Sequence, residues 1–256
     1  MRKMEINRNK LYLSTMDGNA YALARQYGLG LELVEYCTAW NLDEKFRETD
    51  AGIREKLAGT ERLILHGPFS ELFPCAIDPA VRQVCKRRFL QTAETARSYG
   101  CRRIVVHGGY NPYIYFPVWY REQSPGFWRE LLEELPEDMT VCVENVLEPE
   151  PQLLGEVLRQ VDDPRLRMCL DIGHAHAYTA SAVAEWMESC RDVIAHFHIH
   201  NNDGRVDTHG SPLQGTIPME EVLRGIPELC PEATVTLEMR DAAAGLEYLT
   251  RRELLG

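Results

Sequence analysis

The sequence predicts an α/β fold, a single (β/α)8 barrel. Three observations carry that expectation. Short apolar runs alternate with longer amphipathic stretches along the whole chain. Eight such runs can be counted, and several are apolar almost without interruption, the pattern of parallel strands buried on both faces. No Gly/Ser linker or shift of composition divides the 256 residues, a length that one barrel commonly fills, so the expected domain is 1–256.

In chain order the strands are expected at 11–16, 29–36, 62–66, 103–107, 140–146, 167–172, 193–200 and 234–239. Amphipathic stretches at 20–27, 79–99, 125–135, 151–161, 181–190, 219–225 and 242–255 supply the helices between them. The first two strands are recognised by apolar content alone. From the third onward, each run ends in a polar group. Leu63-Ile64-Leu65 ends at His66, and Ile104-Val105-Val106 at His107. Val141-Cys142-Val143 ends at Glu144 and Asn145, and Met168-Cys169-Leu170 at Asp171, with His174 just beyond. The seventh run alternates with period 2: Phe197 and Ile199 face one side, His196, His198 and His200 the other. Val235-Thr236-Leu237 ends at Glu238. Two connections are long, 108–119 and 201–218. Long loops in a compact domain are usually functional or disordered, and the aromatic density of the first argues against disorder.

The bulk numbers narrow the partners. The net charge is -11, with 39 acids against 28 bases, and Arg87-Arg88, Arg102-Arg103 and Arg251-Arg252 are isolated basic pairs. Such a field repels phosphate backbones, so nucleic acid is not the expected partner. No apolar stretch reaches the length of about 18 residues that a membrane span needs, so no membrane partner is expected. The charged start, MRKMEINRNK, has no apolar run behind it, and the eight cysteines contain no C-x-x-C pair. A reduced cytoplasmic setting is the expectation. Nothing here bears on the oligomeric state.

Six successive strands thus each end in a group able to bind a metal. One strand-terminal histidine is more often structural than a ligand, and one strand-terminal acid often only caps the next helix. Six in succession converge on one barrel mouth, where such folds carry chemistry. Glu144, Asp171, Asp207 and Glu238 would repel one another there without a cation. A divalent metal site at the carboxyl-terminal mouth is therefore expected, with zinc or manganese as the ion.

The motifs HGPF at His66, VVHGG at His107, VENV at Glu144, LDIGHAH at Asp171, HIHNNDGRVDTH from His198 and LEM at Glu238 lie in a specific order. In that order the chain resembles the xylose isomerase-like TIM barrels, which join sugar-phosphate isomerases and epimerases with AP endonucleases of the endonuclease IV type (AP endonuclease family 2). The resemblance covers essentially the whole chain. In isomerase and epimerase members it implies one divalent ion held by Glu144, Asp171, His198 and Glu238, with the two glutamates also moving the proton. In endonuclease-like members it implies up to three zinc ions, with His66 and His107 beside a bridging Glu144, and with His174, Asp207 and His209. One departure stands out: Pro212-Leu213-Gln214-Gly215 carries Gln214 where the family usually has Glu.

The expected function is a metal-dependent sugar or sugar-phosphate isomerase or epimerase that moves a proton at the carbon next to a carbonyl. Its partner is a small carbohydrate-like molecule. Phe69, Tyr110 and Trp119 are expected against the substrate, Arg240 is placed to receive a phosphate or carboxylate, and His200 supports the ligands from behind or faces the substrate. The alternative is a phosphoester hydrolase with a trinuclear zinc site.

Overall fold

The computed structural model describes residues 5–256; the first residues of the charged amino-terminal stretch, 1–4, lie outside them. Eight parallel strands close into a barrel in sequence order. They are β1 (Leu11–Ser14), β2 (Gly30–Leu33), β3 (Leu63–His66), β4 (Arg103–His107), β5 (Thr140–Glu144), β6 (Leu166–Asp171), β7 (Ile194–Ile199) and β8 (Thr234–Leu237). The helices are α1 (Ala20–Tyr27), α2 (Ala39–Leu42), α3 (Phe46–Leu57), α4 (Pro79–Ser98), α5 (Pro117–Glu134), α6 (Pro151–Val161), α7 (Ile172–Tyr178), α8 (Val183–Cys190), α9 (Met219–Leu229) and α10 (Ala242–Arg251). The predicted (β/α)8 class is therefore the one observed.

Strand parity divides the apolar residues into two cores. Outward-facing Leu65, Val106, Val143, Leu170 and Phe197 pack under the helices in one large cluster. Inward-facing Ile64, Val105, Cys142 and Cys169 form a small plug inside the barrel, with Tyr12 and Ala195 against it. The plug explains one glycine. A Cβ on Gly30 would lie 2.3 Å from the Tyr12 ring, so only glycine lets that ring cross the barrel floor. Arg103 closes the same end, donating to Thr234 Oγ1 and, at 3.3 Å, to the Ala195 carbonyl.

Register then sets the mouth. His107 pairs with Glu144, and Asp171 with His198, so neighbouring strands deliver their last inward side chains side by side. The helices that cover the barrel start at readable signals. Asp78 caps α4 by accepting from Ala80 N, and prolines open α4, α5 and α6.

Besides the short, unexpected α2, the structure differs from the sequence expectation in three places. The first is α3, which forms between β2 and β3 although its segment buries only Ile53. So thin an apolar stripe gives no clear 3.6 period, and the Arg54–Asp50 pair one turn apart supports it from the solvent side. Second, α5 starts at Pro117 rather than at 125, and Pro125 sits buried inside it. Two prolines eight residues apart both suit a helix start, and the earlier one is the start. Third, α7 follows β6 directly, because Asp171 accepts from His174 N at 2.6 Å and caps it. All eight cysteines are free thiols, seven of them buried. No helix among the described residues is long and apolar enough to cross a membrane.

Candidate metal site at the barrel mouth

A cavity of about 650 Å³ opens at the carboxyl-terminal ends of the strands. Its floor carries His66, His107, Glu144, His174, Asp207, His209 and Glu238, and its walls include Met16, Val34, Phe69, Val146, Leu147 and Tyr178. Among the described residues, neither lysine nor arginine lines it.

Glu144 is the centre. It is 1% exposed and shares its two oxygens between two sets of imidazoles. Oε2 lies 3.1 Å from His66 Nε2 and 3.4 Å from His107 Nε2, while Oε1 lies 3.2 Å from His174 Nδ1 and 3.5 Å from His198 Nδ1. Burial pushes its carboxyl up, but the imidazoles of His107 and His198 outweigh burial and hold it well below the usual carboxylate range. Asp171 behaves alike: burial opposes ionisation, and the imidazoles of His174 and His200 prevail.

Second partners orient the rings. His66 donates from Nδ1 to the Gly67 carbonyl at 2.8 Å, His174 to the Asn145 carbonyl at 2.9 Å, and His209 to the Glu238 carbonyl at 3.0 Å. A carbonyl only accepts, so each of these rings turns Nε2 toward a carboxylate. Asn145 also clamps Asp171, accepting its N–H at 2.8 Å and donating to its carbonyl at 3.0 Å.

The long loop 201–218 is ordered by its first residues. Asn201 accepts from Asn202 N and Ile217 N and donates to the Pro212 carbonyl, while Asn202 donates to the Gly173 carbonyl and accepts from Gly204 N. The loop thereby brings Asp207 and His209 into the cavity lining. His209 has φ of 48°, a left-handed conformation that a non-glycine residue seldom adopts away from constrained sites. Its Nε2 lies 2.8 Å from Asp207 Oδ2. Burial lowers the His209 pKa, but the Asp207 carboxylate prevails and raises it to about 9.

The nine expected metal residues thus meet at one mouth, in three groups. Glu144, Asp171, His198 and Glu238 offer one donor atom each, all within 4.8 Å of one another, and so do His66, His107 and Glu144, and His174, Asp207 and His209. The donor chemistry suits a divalent ion such as zinc or manganese. One observation on the protein's own atoms points the same way: His198 Nδ1 is buried with no hydrogen-bond partner, although Glu238 Oε2 is 3.0 Å away. A buried ring nitrogen that faces carboxylates without a hydrogen bond to any of them is what a cation would join.

The residues expected against a substrate fare unevenly. Phe69 is in the cavity wall, 39% exposed and stacked on His107 with centroids 4.5 Å apart. Tyr110 is 4% exposed, edge-on to Tyr120 at 5.3 Å, and Trp119 donates its indole N–H to the Cys75 carbonyl at 2.8 Å. Tyr110 packs the β4–α5 connection against α5, Trp119 ties α5 to the β3–α4 connection, and both lie outside the cavity lining, which corrects the expectation for them. His200 is fully buried beneath Asp171, its Nε2 3.0 Å from both carboxylate oxygens, so it supports a ligand and cannot touch a substrate. A Cβ on Gly173 would lie 1.8 Å from the His200 ring, so glycine there makes room for that support. Arg240 has an exposed side chain outside the lining; its backbone N donates to the His209 carbonyl. Gln214 is exposed and accepts from Ser211 N, a turn contact.

Three buried acids escaped the sequence reading; one, Asp17, accepts from Asn19 N and Ala242 N, and the other two lie nearer the ligands. Glu32 lies inside the barrel between His196 and His198, and Glu148 lies behind the β5 end. An acid within the apolar run Gly30-Leu31-Glu32-Leu33-Val34 was the available signal for Glu32.

Fold and site together define an α/β barrel with a metal-capable mouth. The chain belongs to the xylose isomerase-like TIM barrel family, whose family model matches residues 22–254. It is 30% identical over 203 residues to an uncharacterized protein of Methanocaldococcus jannaschii, a match covering 73% of this chain and 68% of that protein. A shorter match, 33% identical over 82 residues, is to the fructoselysine 3-epimerase of Escherichia coli O157:H7; it covers 32% of this chain and 30% of that protein. Among solved structures, a D-tagatose 3-epimerase-like protein superposes with a TM-score of 0.78 at 23% identity, over 95% of this chain and 96% of that one. A Thermus thermophilus protein from a ZnCl2 soak superposes with a TM-score of 0.73 at 25% identity, over 95% and 97%.

Proposed function

We propose that this chain, acting as one domain in the cytoplasm, is a metal-dependent isomerase or epimerase of a small polyhydroxy carbonyl compound. The carrying observation is the buried quartet of Glu144, Asp171, His198 and Glu238, with the unpartnered His198 Nδ1 at its centre. These residues would hold one divalent ion, which supplies the positive charge that acidifies a C–H beside a carbonyl. Glu144 and Glu238 lie at the cavity floor, where a carboxylate can take the proton from carbon and a carboxyl can return it. For an epimerase the two act on opposite faces of that carbon; for an isomerase the proton returns to the neighbouring carbon. Phe69 and the apolar wall exclude water from the reacting face. A lining that has no lysine or arginine among the described residues favours an uncharged sugar over a phosphorylated one. The likeness to sugar epimerases supports the same substrate class.

The test is solvent deuterium uptake into free ketoses by the metal-loaded protein. Glu238→Gln should abolish uptake while circular dichroism stays unchanged; uptake at the wild-type rate would end the acid–base assignment. The two flanking triads favour a second reading, a phosphoester hydrolase with additional zinc ions. Metal analysis separates the two, one ion per chain favouring the isomerase and about three favouring the hydrolase.

A further inference from the structure

His198 is held differently from the other histidines at the mouth. His66, His174 and His209 each donate Nδ1–H to a backbone carbonyl. His198 is reversed. Its Nε2 points down the barrel to Glu32 Oε1 at 2.9 Å, while Nδ1 faces Glu238, Glu144 and Asp171 at 3.0, 3.5 and 3.7 Å.

Glu32 is fully buried, and its carboxylate is satisfied by three donors. Besides His198, it accepts from His196 Nε2 at 3.0 Å and from the Thr236 hydroxyl at 2.5 Å, both on Oε2. His196 is fixed in turn by Thr234 Oγ1 at 2.6 Å from its Nδ1, and Thr234 accepts from Arg103. A hydrogen-bonded line therefore runs from the floor of the barrel to the mouth, and Glu32 is its one carboxylate. A buried carboxylate is tolerated when donors surround it, and a hydrogen bond to a carboxylate makes an imidazole a stronger metal donor than one to a carbonyl.

We propose that Glu32 is a positioning residue that keeps the His198 proton on Nε2 and so presents the Nδ1 lone pair to a divalent ion held by Glu144, Asp171 and Glu238. This role rests on the metal-binding half of the proposed function and is independent of the proton-transfer half.

The test uses the full chain, stripped of metal and titrated with Zn2+ or Mn2+ against a chromogenic chelator at fixed pH, with thermal unfolding of the metal-free form in parallel. Glu32→Gln retains the shape but offers one oxygen and one amide N–H to two imidazole Nε2 atoms, so one ring must lose its bond or change tautomer. Metal affinity should fall about 10–100-fold, with Glu32→Asp recovering part of the loss. An unchanged affinity in Glu32→Gln, even with a lower Tm of the metal-free form, would overturn the proposal and leave Glu32 a purely structural group. If Glu32→Gln does not fold, Thr236→Val removes one donor and leaves the carboxylate. A several-fold weaker affinity is then expected, and wild-type affinity overturns the proposal. Wild-type protein that takes up neither ion overturns the quartet itself, a different and distinguishable failure.

Discussion

Glu144 and Glu148 are four residues apart, and each is 1% exposed, yet their carboxyls are driven in opposite directions. Around Glu144 the imidazoles of His107 and His198 override burial and hold it ionised. Glu148 has no imidazole against it. Burial pushes it up to about 7; the Val146 N–H and more distant His174 pull it back only in part, and Glu144 adds to the rise. Its Oε2 accepts from Val146 N at 2.6 Å, but Oε1 has no hydrogen-bond partner among the described residues, and the Tyr120 hydroxyl nearby donates to the Gly108 carbonyl. Depth in the barrel therefore does not decide the charge of an acid here. The histidines decide it, and they mark which carboxylates are prepared to act as anions.

Three measurements bear on that contrast. The largest effect is expected for Glu144→Gln, which removes the anion shared by four imidazoles. Deuterium uptake should fall by about 10²–10⁴-fold and the quartet should lose its ion. A variant that keeps wild-type uptake would put Glu144 in the same class as Glu148.

The next concerns Glu148 and pH. Its folded pKa of about 7 lies above the ordinary value of 4.5. Between those values the folded chain keeps a proton that the unfolded chain has lost. The stabilisation is complete below the ordinary value, is lost as pH rises, and is gone above the folded value, at a slope of up to about 1.4 kcal/mol per pH unit. Glu148→Gln removes the slope, so the variant should be the more stable of the two above pH ~7, by at most about 3 kcal/mol. Urea unfolding across this range checks it, and a pH-independent difference from wild type would break the comparison.

The smallest effect is expected for His209→Ala. His209 is on the loop rather than a strand, and its side chain is 17% exposed. About tenfold weaker binding of a flanking ion is expected, with deuterium uptake largely kept. A loss as deep as that of Glu144→Gln would move the reading toward the hydrolase.

How much of this could be read beforehand varied with the kind of signal. Strands buried on both faces leave continuous apolar runs, and their last residues stand out against them. His66, His107, Glu144, Asp171, His198 and Glu238 were visible for that reason. Glu32 was hidden inside such a run, because its partners His196 and Thr236 come from β7 and β8, and only barrel closure brings them together. Tyr110 and Trp119 misled in the opposite sense. Aromatic density in a long loop is the same whether rings face a cavity or the neighbouring scaffold, and here Tyr110 faces α5 and Trp119 the β3–α4 connection. The start of α5 was lost to an equally plausible proline, and α3 to a helix with almost no apolar face.

The position of His174 on α7, with Asp207 and His209 on the loop that follows β7, has a mechanical consequence. A cation gripped by all three would be a removable cross-link, closing the stretch of chain from 174 to 209 into a ring. Such a ring limits the freedom of the open chain much as a disulfide does, but with a closure set by the metal concentration outside. Loop 201–218, already ordered by Asn201 and Asn202, would then be held more firmly as ion supply rises, and amide hydrogen exchange there would report metal occupancy without any substrate.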